Sequence, residues 1–116
     1  MKIRIKGNSL RYRLTQSEVA WLWSEGALEE RTEFPGKTFV YAIATTNNEE
    51  LSADFTGDRI VLNMSKEMIN ELYNTNKVGF EDRSGAVSLL VEKDFVCIDN
   101  TEEDQSDNYP NPSLTC

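Results

Sequence analysis

The sequence predicts an α+β fold: a two-layer, largely antiparallel sheet built from hairpins, with two helices packed on it. Three observations lead there. Gly7-Asn8, Pro35-Gly36, Thr56-Gly57-Asp58 and Arg83-Ser84-Gly85 are turn signals, each set between short apolar or alternating stretches. Two segments, starting at Thr15 and Ser65, carry helical spacing instead. The balance of 39% hydrophobic and 28% charged residues is that of a chain able to bury one modest core.

Residues 1–14 read as a hairpin around Gly7-Asn8. Counting outward from that loop sets Ile5 opposite Leu10 and Ile3 opposite Tyr12. Arg4 then faces Arg11 and Lys2 faces Arg13. One face is apolar and the other cationic, and a one-residue slip would mix them, so the pattern specifies its own register. Ile3, Ile5, Leu10 and Tyr12 are expected to enter the core beside Val19, Leu22 and Trp23.

Thr15-Gln16-Ser17-Glu18 is a capping box, with Leu14 and Val19 at the flanking staple positions. The helix it starts should run to about Glu25, with Gly26 as its left-handed exit. Val19, Leu22 and Trp23 share a face. Trp21 points nearly the opposite way and is expected to shelter at an edge. Strands at 28–34 and 38–44 flank Pro35-Gly36, and Phe39, Tyr41 and Ile43 alternate with smaller residues. After a polar loop at 45–50, strands at 51–55 and 59–63 flank the second Gly-Asp turn. A second helix spans about 65–76, with Ile69, Leu72 and Tyr73 at helical spacing. Strands at 78–81 and 86–95 form a last hairpin. No internal repeat stands out.

Residues 1–98 are expected to form one domain. From 99 to 116 the chain turns acidic and holds two of its three prolines. Tyr109, Pro110, Pro112 and Leu114 give this tail something with which to dock on the domain. Its acids are expected to fold back near the basic hairpin.

The chain has no histidine, which removes the commonest general base and most zinc sites. Its formal charge of −8 argues against nucleic-acid binding. No apolar run is long enough to span a membrane, and the alternating start is no signal-peptide core. A cytoplasmic location is the expectation. Cys97 and Cys116 match no zinc spacing and are read as free thiols. The tail acids lack the calcium-loop pattern. No phosphate loop, nucleophile elbow or metalloprotease helix occurs, so neither cofactor, metal nor catalytic residue is assigned. Lys93, with Glu92 and Asp94, reads as an ordinary charged strand end.

The charge is polarised. Residues 1–13 contain Lys2, Arg4, Lys6, Arg11 and Arg13 and no acid; residues 94–116 contain Asp94, Asp99, Glu102, Glu103, Asp104 and Asp107 and no base. Like charges facing one another across a sheet repel, so the cationic face invites a counter-charge. That charge is either a carboxylate of the chain itself or an external anion held by Lys2, Arg4, Lys6, Arg11 and Arg13. The expected function is a non-enzymatic binding or accessory module whose partner is a protein or a small anion. The alternatives are a phosphate- or carboxylate-binding small enzyme or sensor using the same face, and an acidic inhibitor-type protein covering a basic partner.

The opening Met1-Lys2-Ile3-Arg4-Ile5-Lys6-Gly7-Asn8-Ser9, then Arg11-Tyr12-Arg13-Leu14-Thr15-Gln16-Ser17-Glu18-Val19, resembles that of a family of short uncharacterised bacterial proteins. The closing Val91-Glu92-Lys93-Asp94-Phe95, Cys97, Glu103-Asp104-Gln105-Ser106-Asp107 and Asn111-Pro112 resembles it too. The resemblance covers both ends and implies one intact domain. It implies no activity, cofactor or partner.

Overall fold

Residues 1–96 and 105–110 are described in the computed structural model of the chain. Cys97, Cys116, Asp99, Glu102, Glu103 and Asp104 lie outside the described residues. In order come β1 (Lys2–Lys6), β2 (Ser9–Leu14), α1 (Gln16–Glu25), β3 (Ala27–Phe34) and β4 (Lys37–Thr46). There follow β5 (Ser52–Thr56), β6 (Arg59–Ser65), α2 (Lys66–Asn74), β7 (Gly79–Asp82) and β8 (Ser88–Lys93). The α+β class holds, and every hairpin forms around its turn signal.

The hairpins divide between two four-stranded sheets rather than forming one. Sheet A has the order β1-β2-β8-β7 and sheet B the order β3-β4-β6-β5. Within each hairpin the strands are antiparallel. The hairpins of each sheet are joined by a parallel pair, β2 with β8 and β4 with β6. The first hairpin has the expected register, with Ile3 on Tyr12, Arg4 on Arg11 and Ile5 on Leu10.

This topology contains an internal repeat, a correction to the reading that none stands out. The series β1-β2-α1-β3-β4 recurs as β5-β6-α2-β7-β8, and exchanging the two series turns the order of sheet A into that of sheet B. Through hairpin and helix, equivalent residues stand 50 positions apart. Gly7 and Gly57 turn their hairpins with φ of 53° and 59°, which glycine adopts without the Cβ clash of other residues. Leu10, Tyr12 and Leu14 answer to Ile60, Leu62 and Met64, all buried. Thr15 and Ser65 are the two helix N-caps. Val19 and Leu22 answer to Ile69 and Leu72. Over residues 1–24 only Gly7/Gly57 and Leu22/Leu72 are identical pairs, so the repeat lies in pattern and not in letters.

One core joins both sheets and both helices. Leu10, Tyr12, Leu14, Leu89 and Val91 come from sheet A; Ile43, Ile60, Leu62 and Met64 from sheet B; Val19, Leu22, Ile69 and Leu72 from the helices. Tyr12 meets Tyr41 edge to face, centroids 6.2 Å apart, across the space between the sheets. Fully burying side chains of this size contributes about 1.5–3 kcal/mol each.

Two expected core members are not in it. Ile5 is 59% exposed, because β1 is an edge strand and its tip overhangs the core. Trp23 is 37% exposed and stacks on Tyr73 instead, centroids 5.7 Å apart and planes 17° from parallel. No helix among the described residues is long and apolar enough to cross a membrane.

Candidate functional site

Side chains alternate along a strand, so the register of β1 and β2 sends Lys2, Arg4, Lys6, Arg11 and Arg13 to the outer face of sheet A. The parallel pairing of β2 with β8 then sets Leu90 beside Arg11 and Glu92 beside Arg13 on that face. Glu92 takes Arg13 Nε at 3.0 Å and Arg11 Nε at 3.6 Å. Lys2 Nζ pairs with Asp94 Oδ2 at 3.0 Å. Among the described residues neither Arg4 nor Lys6 has a carboxylate within ion-pair distance. The five basic residues thus share one face, and Glu92 and Asp94, which pair with three of them, come from the end of β8.

The described part of the tail goes elsewhere. Asp107 accepts from the Ser17 backbone N–H at 3.2 Å and from the Ser17 hydroxyl. The Gln16 N–H donates to the Asp107 carbonyl at 3.0 Å. These are the orphan donors at the start of α1, and a carboxylate there also meets the positive end of the helix. Hydrogen bonds from the Ser17 and Thr15 side chains hold the Asp107 carboxyl below its usual range. Within α1's own capping box, Glu18 accepts from the Thr15 N–H at 2.9 Å. Tyr109 extends the end of β8: its N–H donates to the Asp94 carbonyl and its carbonyl accepts from Val96, both at 2.8 Å. Asn108 is buried beneath this segment.

Lys93 is no ordinary strand end. It is 6% exposed, with Nζ donating to the Thr75 carbonyl at 3.0 Å and lying 4.8 Å from the centre of the Tyr109 ring. Loss of water lowers its pKa. Asp94, also expected at the surface, is 5% exposed. Alternation places Lys93 on the inner side of β8, and the residues that cover it, Thr75 and Tyr109, are far away in sequence. The alternation of Leu89, Val91 and Lys93 marks its side of the strand, but the cover that buries it comes from outside the local pattern.

Two clefts lie apart from the basic face. One, of about 290 Å³, is lined by Glu49, Ser65, Glu67, Met68, Glu71 and Phe80. The other, of about 310 Å³, lies between α1 and the outer face of sheet B. Trp21 forms its wall and is 53% exposed, not sheltered as expected. Ala27, Ala42 and Ala44 line it, with Glu29 and Arg59. Arg59 Nη1 reaches Glu29 Oε2 at 2.6 Å, and Arg31 Nε reaches Glu29 Oε1 at 3.3 Å. These two guanidinium groups hold the Glu29 carboxyl below its ordinary range.

None of the five basic residues of sheet A lines either cleft. Among the described residues no group of histidine, cysteine and acidic side chains has the arrangement of a metal site. No curated protein and no solved structure matches the chain. A family match runs over residues 1–113, nearly the whole sequence, and by it the chain belongs to DUF7009, a family of unknown function.

Proposed function

We propose that the protein is a non-enzymatic binding module that docks an acidic protein segment on the outer face of sheet A. The observation that carries this is the convergence of Lys2, Arg4, Lys6, Arg11 and Arg13 on one face of a chain with formal charge −8. Glu92 and Asp94 meet three of these cations, which leaves Arg4 and Lys6 at the edge to face solvent or a partner. A run of carboxylates laid along β1 and β2 would relieve the mutual repulsion of these side chains. It would also gain on-rate from the local positive field.

The test is titration of the isotope-labelled protein with a decaglutamate peptide and, separately, with pyrophosphate. The peptide should shift the amides of β1 and β2, and its affinity should fall with salt as the Debye length shrinks from about 10 Å at 0.1 M to about 3 Å at 1 M. Arg4→Glu with Lys6→Glu should abolish the effect. Unchanged binding by that variant overturns the proposal. Pyrophosphate binding as tightly as the peptide would replace the acidic segment with a small anion.

A second reading, an acidic cover for a basic partner, draws on Glu49, Glu67 and Glu71 around the smaller cleft. Decalysine shifting these residues, with no decaglutamate effect on sheet A, would put it first.

A further inference from the structure

We infer that the cleft between Trp21 and the outer face of sheet B is a binding site for a small aromatic carboxylate. The site is independent of the basic face of sheet A, since it lies on the other sheet.

Register places Ala27 beside Ala44 and Glu29 beside Ala42 on the outward side of β3 and β4. Ala42 faces outward and yet is 2% exposed. The Arg59–Glu29 ion pair crosses this strand: Glu29 stands on β3 and Arg59 on β6, so their contact spans β4, which runs between them. Three small side chains lie in a depression bounded by this pair and by the Trp21 indole. A flat ring can lie on such a floor and stack on the indole, gaining contact area that water cannot supply. The volume, about 310 Å³, is at the lower end of small-ligand sites, roughly 300–1,000 Å³.

The rim specifies the charge. Arg59 gives Glu29 only Nη1 and Arg31 gives it only Nε, so each guanidinium keeps further N–H donors beside the cleft, although Glu33 and Asp54 stand on the same face of the sheet. A guanidinium can donate two parallel N–H bonds to a ligand carboxylate. A ring bearing a carboxylate therefore satisfies wall, floor and rim together.

The internal repeat offers a comparison within the molecule. The second-half equivalents of Trp21, Ala42, Ala44 and Arg59 are Glu71, Leu90, Glu92 and Ser9. The other copy thus has larger side chains at two of the three floor positions, with Gly79 answering to Ala27, has no aromatic wall, and keeps the Arg31–Glu29 pair as Arg83–Glu81 but has no counterpart of Arg59. The combination of exposed indole, alanine floor and arginine rim occurs in one half alone, so the repeat architecture does not require it.

The test uses 1-naphthoate and its neutral counterpart 1-naphthalenemethanol. Trp21 fluorescence is read in a Trp23→Phe background, which keeps a ring against Tyr73. Naphthoate should quench Trp21 saturably and bind at least tenfold more tightly than the alcohol. Arg59→Gln should bring the two to near parity. Ala44→Leu should block both by filling the floor, and Ala27→Leu, at an exposed position, repeats that test should the first variant melt early. Decaglutamate binding should be untouched by either leucine variant. Equal affinity for acid and alcohol, absence of saturation, or unaltered naphthoate binding in a folded leucine variant would overturn the inference.

Discussion

Trp23 stacks on Tyr73 at 5.7 Å, and the two residues occupy the same position in the two copies of the repeat, 50 residues apart. An aromatic pair formed by equivalent residues marks where the two units meet face to face, at the contact between α1 and α2. Both rings are partly exposed, so the pair is a seam at the surface and not part of the core. A double-mutant cycle with Trp23→Ala and Tyr73→Ala should return a coupling of about 0.5–1.5 kcal/mol, the range for aromatic pairs beyond area burial. Strictly additive effects would mean that the rings do not support each other in solution.

The exchange of hairpins between sheets has a sharper consequence. Each unit gives one hairpin to sheet A and one to sheet B, and the parallel pairs that complete the sheets join different units. A half alone has two separate hairpins and one helix, and an isolated hairpin is at best marginally stable in water. Fragments 1–48 and 49–116 should each lack a cooperative melting transition, and mixing them should restore one. Independent cooperative melting of either fragment would show that the repeat unit is a domain in itself.

Burial separates two residues that the hairpin pattern treats alike. Leu14 is fully buried, whereas Ile5 is 59% exposed. Leu14→Ala should cost about 2–5 kcal/mol, as for truncations in well-packed cores. Ile5→Ala should cost under about 1 kcal/mol, because few of its atoms leave water on folding. Chemical denaturation of both variants checks this, and comparable losses would place the tip of β1 inside the core.

What the sequence reveals and what it hides divide along sequence separation. The four turns, the capping box at Thr15 and Glu18 and the register of the first hairpin depend on neighbours a few residues away, and local chemistry specifies them. The outward placement of the five basic residues follows from strand alternation alone. The pairing of Arg11 and Arg13 with Glu92 needs the long-range parallel pairing of β2 with β8, which no local pattern encodes. Trp23 belongs to the apolar face of its helix, yet its partner comes from α2. Lys93 is charged, but its cover is assembled from Thr75 and Tyr109. The alanine floor is bounded by Glu29 and Arg59, which meet across β4 and are 30 residues apart in sequence.

Lys93 should make stability depend on pH in the alkaline range. Desolvation lowers its folded-state pKa below the ordinary 10.5. Between the folded and unfolded values the unfolded chain binds more protons, so stability rises with pH across that window. The native state therefore carries the cost of a buried ammonium at neutral pH, and deprotonation relieves it. In Lys93→Met this term is absent, while other titrating groups are common to both proteins. The stability of wild type minus that of the variant should increase from pH 7 towards 10.5 and level off above it. A flat difference would mean that water reaches the ammonium group.

Asp107 should act in the opposite window. Its folded-state pKa lies below the ordinary 3.8, chiefly through hydrogen bonds from the Ser17 and Thr15 side chains. A carboxylate with a lowered pKa contributes stability that is fully present above the unfolded value and is lost as pH falls through the folded one. The contact also ties residues 105–110 to the first turn of α1, where Asp107 takes the donor of Ser17 while its carbonyl takes that of Gln16. Asp107→Asn keeps the size and one acceptor oxygen but removes the charge. It should lower the Tm at pH 7, and the difference from wild type should vanish well below pH 3.8. Ser17→Ala should reproduce part of the loss and leave little further effect for Asp107→Asn in the double variant. This outcome would place the tail's anchor on the helix start, leaving Arg4 and Lys6 of the basic hairpin open to a partner. If Asp107→Asn instead melts like wild type at pH 7, the carboxylate is solvated and the anchor reduces to Tyr109 and the backbone bonds beside β8.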